Sequence, residues 1–208
     1  MNIHLQNAGK KFNREWIFRK LNYQFISTQT YAITGPNGSG KSTLLQCIAG
    51  STDLSEGNIQ VENGEWELRN KKQENNSQSF SIAAPYLELI EEMTATEFLQ
   101  FHQSFQSLLP NLTVDEILSI VNLTKAADKQ IRYYSSGMKQ RLKLAQAFFS
   151  NVPIILLDEP CTNLDSAGFQ LYHQLIKNYT INRLVIICSN DEQEINFCTT
   201  RLNIMDWK

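Results

Sequence analysis

The sequence predicts an α/β fold: a mostly parallel sheet, an antiparallel β subdomain near the amino terminus, and a helical insertion. Two wholly aliphatic runs, Ile154-Ile155-Leu156-Leu157 and Leu184-Val185-Ile186-Ile187, are typical of parallel strands buried on both faces. Leu21-Asn22-Tyr23-Gln24-Phe25-Ile26 alternates apolar and polar residues, as a half-buried antiparallel strand does. Between them, Thr94 and Thr113 each open a pattern that predicts the start of a helix.

Near the amino terminus, Ile3-His4-Leu5-Gln6 and Tyr31-Ala32-Ile33-Thr34 are further predicted strands. Asn58–Val61 and Glu65–Leu68 flank Asn63-Gly64, which predicts a β-hairpin with a two-residue turn. The segment 70–79 is almost wholly polar, so we expect an exposed loop there.

In the middle of the chain, Thr94-Ala95-Thr96-Glu97 and Thr113-Val114-Asp115-Glu116 each match a capping box. Apolar residues follow both at helical spacing. After the first box they are Phe98, Phe101, Phe105, Leu108 and Leu109, and after the second Ile117, Ile120 and Val121.

The composition fits one globular domain. The chain has 208 residues, of which 42% are hydrophobic and 19% charged. With a net charge of −2, no basic field recruits nucleic acid, so we do not expect nucleic acid as the partner. No aliphatic run approaches the ~20 residues of a membrane span, and no signal peptide opens the chain, so we expect a cytoplasmic protein. The four cysteines, Cys47, Cys161, Cys188 and Cys198, lack metal-ligand spacing and are expected to be reduced and mostly buried.

The strongest functional signal is a glycine-rich loop between a predicted strand and a predicted helix. Gly35-Pro36-Asn37-Gly38-Ser39-Gly40-Lys41-Ser42 matches the complete phosphate-binding pattern G-x-x-x-x-G-K-[S/T], the P-loop. Its glycines let successive N–H groups turn toward one centre, and Lys41 adds a positive charge for the β- and γ-phosphates. The Ser42 hydroxyl is suited to ligate Mg²⁺. We expect this loop, with Thr43 in the helix that follows, to bind ATP.

A second acidic element supports the first. The strand Ile154–Leu157 ends in Asp158 and Glu159, the form of a Walker B motif. A buried parallel strand delivers such side chains beside the P-loop at its carboxyl end. Asp158 is predicted to hold Mg²⁺, largely through water, and Glu159 to orient and polarise the attacking water. Alone, an Asp-Glu pair is also typical of a solvated turn or a helix cap; the complete P-loop favours the catalytic interpretation.

The order of these motifs resembles the nucleotide-binding domain of ATP-binding-cassette (ABC) ATPases. Tyr134-Ser135-Ser136-Gly137-Met138-Lys139-Gln140-Arg141 is similar to the family signature, and Thr162-Asn163-Leu164-Asp165 is similar to the D-loop that follows Asp158-Glu159-Pro160. The resemblance covers essentially the whole chain. It implies a P-loop NTPase core of the ABC ATPase type, a single domain over residues 1–208 with a helical subdomain at about 85–150.

The resemblance also implies a dimer. In the family each ATP lies between the P-loop of one subunit and the signature of another, which assigns Ser135, Ser136 and Gly137 to ATP held by a second ABC subunit, identical or different. A hydroxyl, a close backbone approach and a helix amino terminus also suit a second anion site on physical grounds. A plain cap on a surface helix is the lesser alternative for the same residues.

The chain departs from the family pattern in the signature and the Q-loop. Ser136 replaces a glycine and Met138 a glutamine of the signature, which indicates weaker or differently shaped closure. Pro85 stands about where the family has its Q-loop glutamine, and Tyr86 or Glu88 is a candidate for part of that role.

A further departure is Asn190, which replaces the family's switch histidine after the last aliphatic strand. Asparagine can donate a hydrogen bond to a γ-phosphate, but it carries no positive charge and shuttles no proton. We expect slow hydrolysis, with Glu159 as the main catalytic group and Asn190 as a second. Phe12 stands where the family stacks an aromatic ring on adenine; Trp16 is an alternative, and either ring also fits ordinary packing.

These expectations lead to an ATP-binding, Mg²⁺-dependent ATPase subunit of an ABC transporter. Closure of its dimer would move separate integral membrane partners that dock near residues 84–92, at the cytoplasmic face of the membrane. The alternatives are a soluble ABC ATPase acting on nucleic acid or ribosomes, a regulatory module with weak turnover and, more remotely, a small-molecule P-loop kinase. Because partner chains select the cargo, the sequence indicates neither the transported substrate nor its direction.

Overall fold

The computed structural model describes residues 1–62, 66–68 and 79–208. The strands are β1 (Asn2–Phe12), β2 (Glu15–Phe25), β3 (Thr30–Thr34), β4 (Glu56–Glu62), β5 (Trp66–Leu68), β6 (Phe80–Ala83), β7 (Ile154–Asp158), β8 (Leu184–Cys188) and β9 (Thr200–Asn203). The helices are α1 (Lys41–Ile48), α2 (Ala95–Gln103), α3 (Val114–Ile120), α4 (Ser136–Phe149), α5 (Ser166–Tyr179) and α6 (Glu192–Ile195). Short 3-10 turns lie at Thr124–Ala126, Ile131–Tyr133 and Ile204–Trp207.

A parallel sheet with the strand order β6-β7-β8-β3-β9 forms the centre of the protein. Every residue of β7 and β8 is buried, which is why the first four residues of each strand are aliphatic. Because the strands are parallel, the carboxyl ends of β3, β7 and β8 lie at one edge of the sheet. The predicted α/β class with a mostly parallel sheet is confirmed.

An antiparallel sheet with the order β2-β1-β4-β5 forms the second layer. The predicted hairpin is confirmed at its strands, since Ile59 pairs with Leu68 and Val61 with Trp66 in antiparallel register. Its Asn63-Gly64 turn and residues 70–78 of the predicted polar loop lie outside the described residues.

The parallel sheet separates two apolar cores because its strands alternate between faces. Ile155 and Leu157 of β7 pack with the buried residues of α4 and α5. Ile154 and Leu156 face the other way and pack with the antiparallel sheet and α1. Among the described helices, none has both the length and the apolar character that crossing a bilayer requires.

Both predicted capping boxes are present. The Thr94 hydroxyl accepts from the Glu97 amide, and the Glu97 carboxylate accepts from the Thr94 amide at 2.8 Å. Thr113 and Glu116 make the same pair of bonds at the start of α3. These reciprocal bonds satisfy amide groups that a helix start otherwise leaves free.

The first of these helices is shorter than its apolar spacing predicts. α2 ends at Gln103, so one continuous helix through Phe105, Leu108 and Leu109 is wrong. The chain leaves the helix because its backbone pairs elsewhere: the Leu109 amide donates to the Phe149 carbonyl at 2.8 Å. Phe105 is consequently 64% exposed and packs edge-on against Phe101.

Strands β6 and β9, on the two edges of the parallel sheet, carry no clear sequence signal. Buried Ser81 interrupts the apolar pattern of β6, and its hydroxyl donates to the Ala147 carbonyl at 2.7 Å. In β9 only Leu202 is fully buried.

Candidate nucleotide-binding site

The P-loop joins β3 to α1 at the carboxyl edge of the parallel sheet. Gly40 precedes α1 with a φ of 102°, and no side chain caps this helix start. A Cβ on Gly40 would lie 2.2 Å from the Cγ2 of Ile17, so only glycine fits between the loop and β2. A Cβ on Gly38, by contrast, would meet nothing within 4 Å. The loop therefore presents an open outer side and uncapped amide groups, the geometry of an anion site.

Lys41 lies inside this loop and is 5% exposed. Its ammonium donates to the carbonyls of Gly35 at 2.7 Å and Pro36 at 3.3 Å. Ser39 is also buried, and its hydroxyl has no hydrogen-bond partner within the part of the chain that the structure describes. A buried ammonium and an unpaired hydroxyl beside turning glycines fit a phosphate group.

Asp158 and Ser42, the two predicted magnesium ligands, lie close enough for the Ser42 hydroxyl to lower the pKa of the Asp158 carboxyl. Asp158 is 2% exposed, and this burial raises the pKa of its carboxyl, while the Ser42 hydroxyl and the Lys41 charge lower it. A buried carboxylate of this kind gains from a nearby cation. Over residues 1–62 and 79–208, no three His, Cys, Asp or Glu side chains cluster as metal ligands. A hydroxyl beside a carboxylate suits Mg²⁺, because this ion binds oxygen ligands and completes its shell with phosphate and water.

Glu159, the next residue, is exposed. It adopts a left-handed φ of 44°, which is uncommon for a residue with a side chain. Its amide donates to the Cys188 carbonyl at 2.9 Å, so β8 fixes the turn at the end of β7. The two successive carboxylates therefore differ in environment, because Asp158 is buried and Glu159 is exposed.

Asn190, directly beyond β8, contacts the P-loop itself. Its Oδ1 accepts from the Gly35 amide at 3.0 Å, and its Nδ2 donates to the Gly35 carbonyl at 2.7 Å. The side chain is therefore paired with both polar groups of one backbone residue.

Tyr86 lies beside the predicted magnesium pair, in the segment that follows β6. The residue as a whole is 42% exposed, but the pKa of Tyr86 is raised to about 12. Burial of the hydroxyl is the larger cause, and the nearby negative charge of Asp158 is the second. A hydrogen bond with Gln46 of α1 acts in the opposite direction. Of the two Q-loop candidates, Tyr86 therefore approaches Asp158, whereas Glu88 lies close to Lys143 of α4.

The same segment lines a groove of about 390 Å³ against α4. Its walls are formed by Pro85, Leu87, Glu88, Leu89, Glu91, Lys139 and Lys143. The Lys143 ammonium donates to the carbonyls of Ala84 at 3.2 Å and Pro85 at 3.1 Å, which ties this segment to α4.

The signature begins α4. The Ser135 hydroxyl accepts from the Met138 amide at 3.3 Å, so Ser135 caps the helix as its sequence pattern predicts. Ser136 is exposed in the first turn, and a Cβ on Gly137 would lie 3.1 Å from the Asn163 carbonyl oxygen. The signature is thus packed against the D-loop of its own chain.

Phe12 ends β1 and is 48% exposed, with the Lys10 ammonium 4.8 Å from its ring centre. Trp16 is more enclosed and has two cations over its ring, Lys11 at 5.3 Å and Arg19 at 4.4 Å. Phe12 therefore offers the more open ring, and its adenine contact stays a prediction.

One buried acidic residue carries no sequence signal. Glu194 lies in α6 within the polar run Asp191-Glu192-Gln193-Glu194, which looks like a solvated helix face. In the structure Glu194 is buried, and its Oε1 accepts a hydrogen bond from the Cys161 amide at 2.7 Å. Cys161 follows Glu159 by two residues in the chain.

A family model described as "ABC transporter" matches residues 18–162, more than half of the chain. The chain belongs to the ABC transporter family. Among ABC relatives, the lantibiotic transport ATP-binding protein SrtF of Streptococcus pyogenes is 27% identical, over 90% of this chain and 79% of its own. The uncharacterised ABC transporter ATP-binding protein YdbJ of Bacillus subtilis is also 27% identical, over 84% of this chain. This chain spans 56% of the length of YdbJ.

The ABC fold is supported independently by solved structures. The ATP-binding cassette MJ0796, in a dimeric post-hydrolysis state bound to ADP and Pi, superposes with a TM-score of 0.85. The match covers 97% of this chain and 93% of MJ0796 at 24% identity. The chain is therefore an ATP-binding cassette of the ABC transporter type in family and fold.

Proposed function

We propose that this cassette binds Mg²⁺ and ATP at the P-loop, hydrolyses the ATP slowly within a dimer, and drives separate membrane-spanning partner chains. The observation that carries the proposal is the meeting of Ser42 with Asp158 beside the buried Lys41. Three groups that phosphate and magnesium chemistry requires thus converge at one edge of the sheet.

In this proposal, different residues of the site bind the phosphates, hold the magnesium ion and position the attacking water. The P-loop amides, from Gly35 to Thr43, and the Lys41 ammonium bind and orient the phosphates. Ser42 and Asp158 would hold Mg²⁺, which when bound neutralises charge on the β- and γ-phosphates. Exposed Glu159 accepts a proton from the attacking water and aligns it.

The second half of each site comes from another ABC subunit. The amino terminus of α4 carries Ser135, Ser136 and Gly137. One chain does not easily turn this helix end onto its own P-loop. A dimer resolves this, because each signature then meets the nucleotide of the other subunit. MJ0796, which shares the fold, is dimeric with ADP and Pi bound.

The groove beside α4 is where we place the membrane partner, at the cytoplasmic face. It combines apolar walls, such as Leu87 and Leu89, with a charged rim that includes Glu88. Such a mixed surface suits a short helix from another chain. Because Tyr86 lies in the chain between Pro85 and Leu87, two residues of the groove wall, movement of the partner would reach the catalytic edge.

The test compares three variants of the purified chain. Glu159→Gln should retain ATP binding, abolish phosphate release and accumulate as a dimer with ATP, measured by light scattering. Lys41→Ala should lose most ATP affinity, since the phosphates lose the buried ammonium. Asp206→Asn, an exposed carboxylate change near the carboxyl terminus, should behave as wild type.

A regulatory module with weak turnover is the second candidate, favoured by Pro85 and Asn190, which stand in place of catalytic groups. It predicts equal, very slow phosphate release from wild type and Glu159→Gln. Co-purification from detergent extracts separates the roles further: a transport subunit retains an integral membrane chain, whereas recovery without any such chain contradicts the transport role.

A further inference from the structure

We propose that Asn190 anchors the entrance of the P-loop and thereby supports the phosphates common to ADP and ATP, rather than contacting the γ-phosphate. The inference rests on the proposed function for its nucleotide site. Its basis is the two-point pairing between the Asn190 side chain and the Gly35 backbone. Asn190 is then a positioning residue.

The pairing continues the sheet beyond its last backbone bond. β3 and β8 are parallel neighbours, with Ile33 opposite Cys188, and the Ser189 amide donates to the Ile33 carbonyl at 3.2 Å. At the next step the Asn190 amide takes the place of a neighbouring peptide. It supplies one acceptor and one donor to the two polar groups of Gly35.

Gly35 needs such an anchor because it has no side chain to restrict its backbone conformation. Its φ of 143° lies in the region that glycine adopts freely, so its own sterics do not fix the turn. On one side a Cβ would lie 2.6 Å from the Cγ2 of Ile204, so that side chain forms a wall. Asn190 supplies the polar restraint.

The restraint reaches the phosphate-binding lysine directly. The Gly35 carbonyl accepts from Asn190 Nδ2 and from Lys41 Nζ, each at 2.7 Å. By holding this oxygen, Asn190 sets where the ammonium lies. Its effect on binding should therefore extend to any nucleotide that carries a β-phosphate, whether or not a γ-phosphate follows.

Histidine does not replace asparagine in this role. The two ring nitrogens of imidazole point in divergent directions, whereas a carboxamide presents its donor and acceptor side by side. Asn190→His should break the pairing as Asn190→Ala does. The histidine variant therefore distinguishes the two roles, because histidine could still donate a hydrogen bond to a γ-phosphate but could not anchor Gly35.

The experiment measures the affinities of ADP and of a non-hydrolysable ATP analogue, each with Mg²⁺, by calorimetry. With Asn190→Ala and Asn190→His, both affinities should fall by the same factor, about tenfold for two lost hydrogen bonds. Asn190→Gln keeps the amide but displaces it, and serves if the alanine variant does not fold. The exposed Asn111, changed to alanine, is the matched control and should leave both affinities unchanged.

A loss confined to the ATP analogue, or no loss of either affinity, would overturn the anchor. Hydrogen exchange at the Gly35 amide provides a readout that needs no nucleotide. It should accelerate about tenfold in Asn190→Ala, and unchanged exchange would also reject the proposal. If wild type binds neither nucleotide, the proposed function fails, while the exchange measurement still decides the role of Asn190.

Discussion

The side-chain amide of Gln140 donates to the Pro160 carbonyl at 2.7 Å and joins the signature helix to the residue directly after Glu159. Gln140 is 4% exposed, so water does not replace this bond. Arg141, the next residue, forms an ion pair with Asp165 at 3.1 Å. The signature and the D-loop are therefore held as one unit in each chain. In the proposed dimer, this unit would link the partner's nucleotide to the Glu159 of the same chain.

Gln140→Met should destabilise the fold by about 1–3 kcal/mol, because it leaves the buried Pro160 carbonyl without a donor at similar side-chain volume. Urea unfolding followed by circular dichroism measures the change. Gln100→Met, at an exposed position of α2, should stay within about 0.5 kcal/mol of wild type. Equal stability of both variants would show that the bond contributes nothing.

Gly40→Ala should impair nucleotide binding severely. The new Cβ would lie 2.2 Å from Ile17, and a φ of 102° alone costs about 1–3 kcal/mol for a residue with a side chain. The start of α1 must then shift away from the phosphates. ATP affinity and thermal stability should both drop, as calorimetry and melting would show.

Gly38→Ala is the matched control for that change. Its φ of 77° is also left-handed, but a Cβ there meets nothing within 4 Å. It should therefore show the strain without the clash and lose less affinity than Gly40→Ala. Equal losses would indicate that packing against Ile17 is unimportant.

Tyr86→Phe should raise the Mg²⁺ concentration needed for turnover and lower kcat about five- to tenfold, the effect of losing one positioned hydroxyl. The hydroxyl lies beside Asp158 and Gln46, so its removal changes the surroundings of the magnesium pair. Binding of ATP without Mg²⁺ should not change. Tyr133→Phe, at a well-exposed tyrosine, is the control. An unaltered Mg²⁺ titration would contradict this role and leave Glu88→Gln as the variant to test.

Features with local causes could be predicted from the sequence. The P-loop is recognisable because glycines, lysine and serine act within one short segment. The capping boxes of Thr94 and Thr113 were predictable for the same reason, since both partners lie three residues apart. The strands β7 and β8 were predictable because burial on both faces requires wholly aliphatic sequences.

Features that depend on contacts between distant residues could not be predicted from the sequence. Asn190 is 155 positions from Gly35, and nothing near either residue reports their pairing. Glu194 resembles a surface residue until the fold brings the Cys161 amide to it. The end of α2 depends on pairing between Leu109 and Phe149, which the helical spacing of Phe105 conceals. Long-range hydrogen bonds override local propensity at each of these places.

Glu194 also predicts a dependence of stability on pH. Burial raises the pKa of its carboxyl, and the nearby charges of Asp191 and Glu159 raise it further. Hydrogen bonds from Ser189 and the Cys161 amide oppose this in part. The folded-state pKa therefore lies above the unfolded value of about 4.3.

Between these two pKa values the folded protein keeps a proton that the unfolded chain has lost. This carboxyl's contribution to stability is therefore greatest below about pH 4.3, and it declines as pH rises through the folded-state pKa. Glu194→Gln retains an oxygen for the Cys161 amide but removes the charge. The variant should gain in free energy of unfolding, relative to wild type, as pH increases across this window.

Urea unfolding of both proteins between pH 4.5 and pH 8 tests the sign. Other carboxyls, such as Glu97 with its lowered pKa, occur in both proteins and cancel in the difference. Glu192→Gln is the control: the ion pair with Arg201 lowers its pKa, so its pH dependence lies below about pH 4.3 and its difference should be nearly flat across this range. A difference for Glu194→Gln that is flat, or that falls with pH, would mean that burial does not govern this carboxyl.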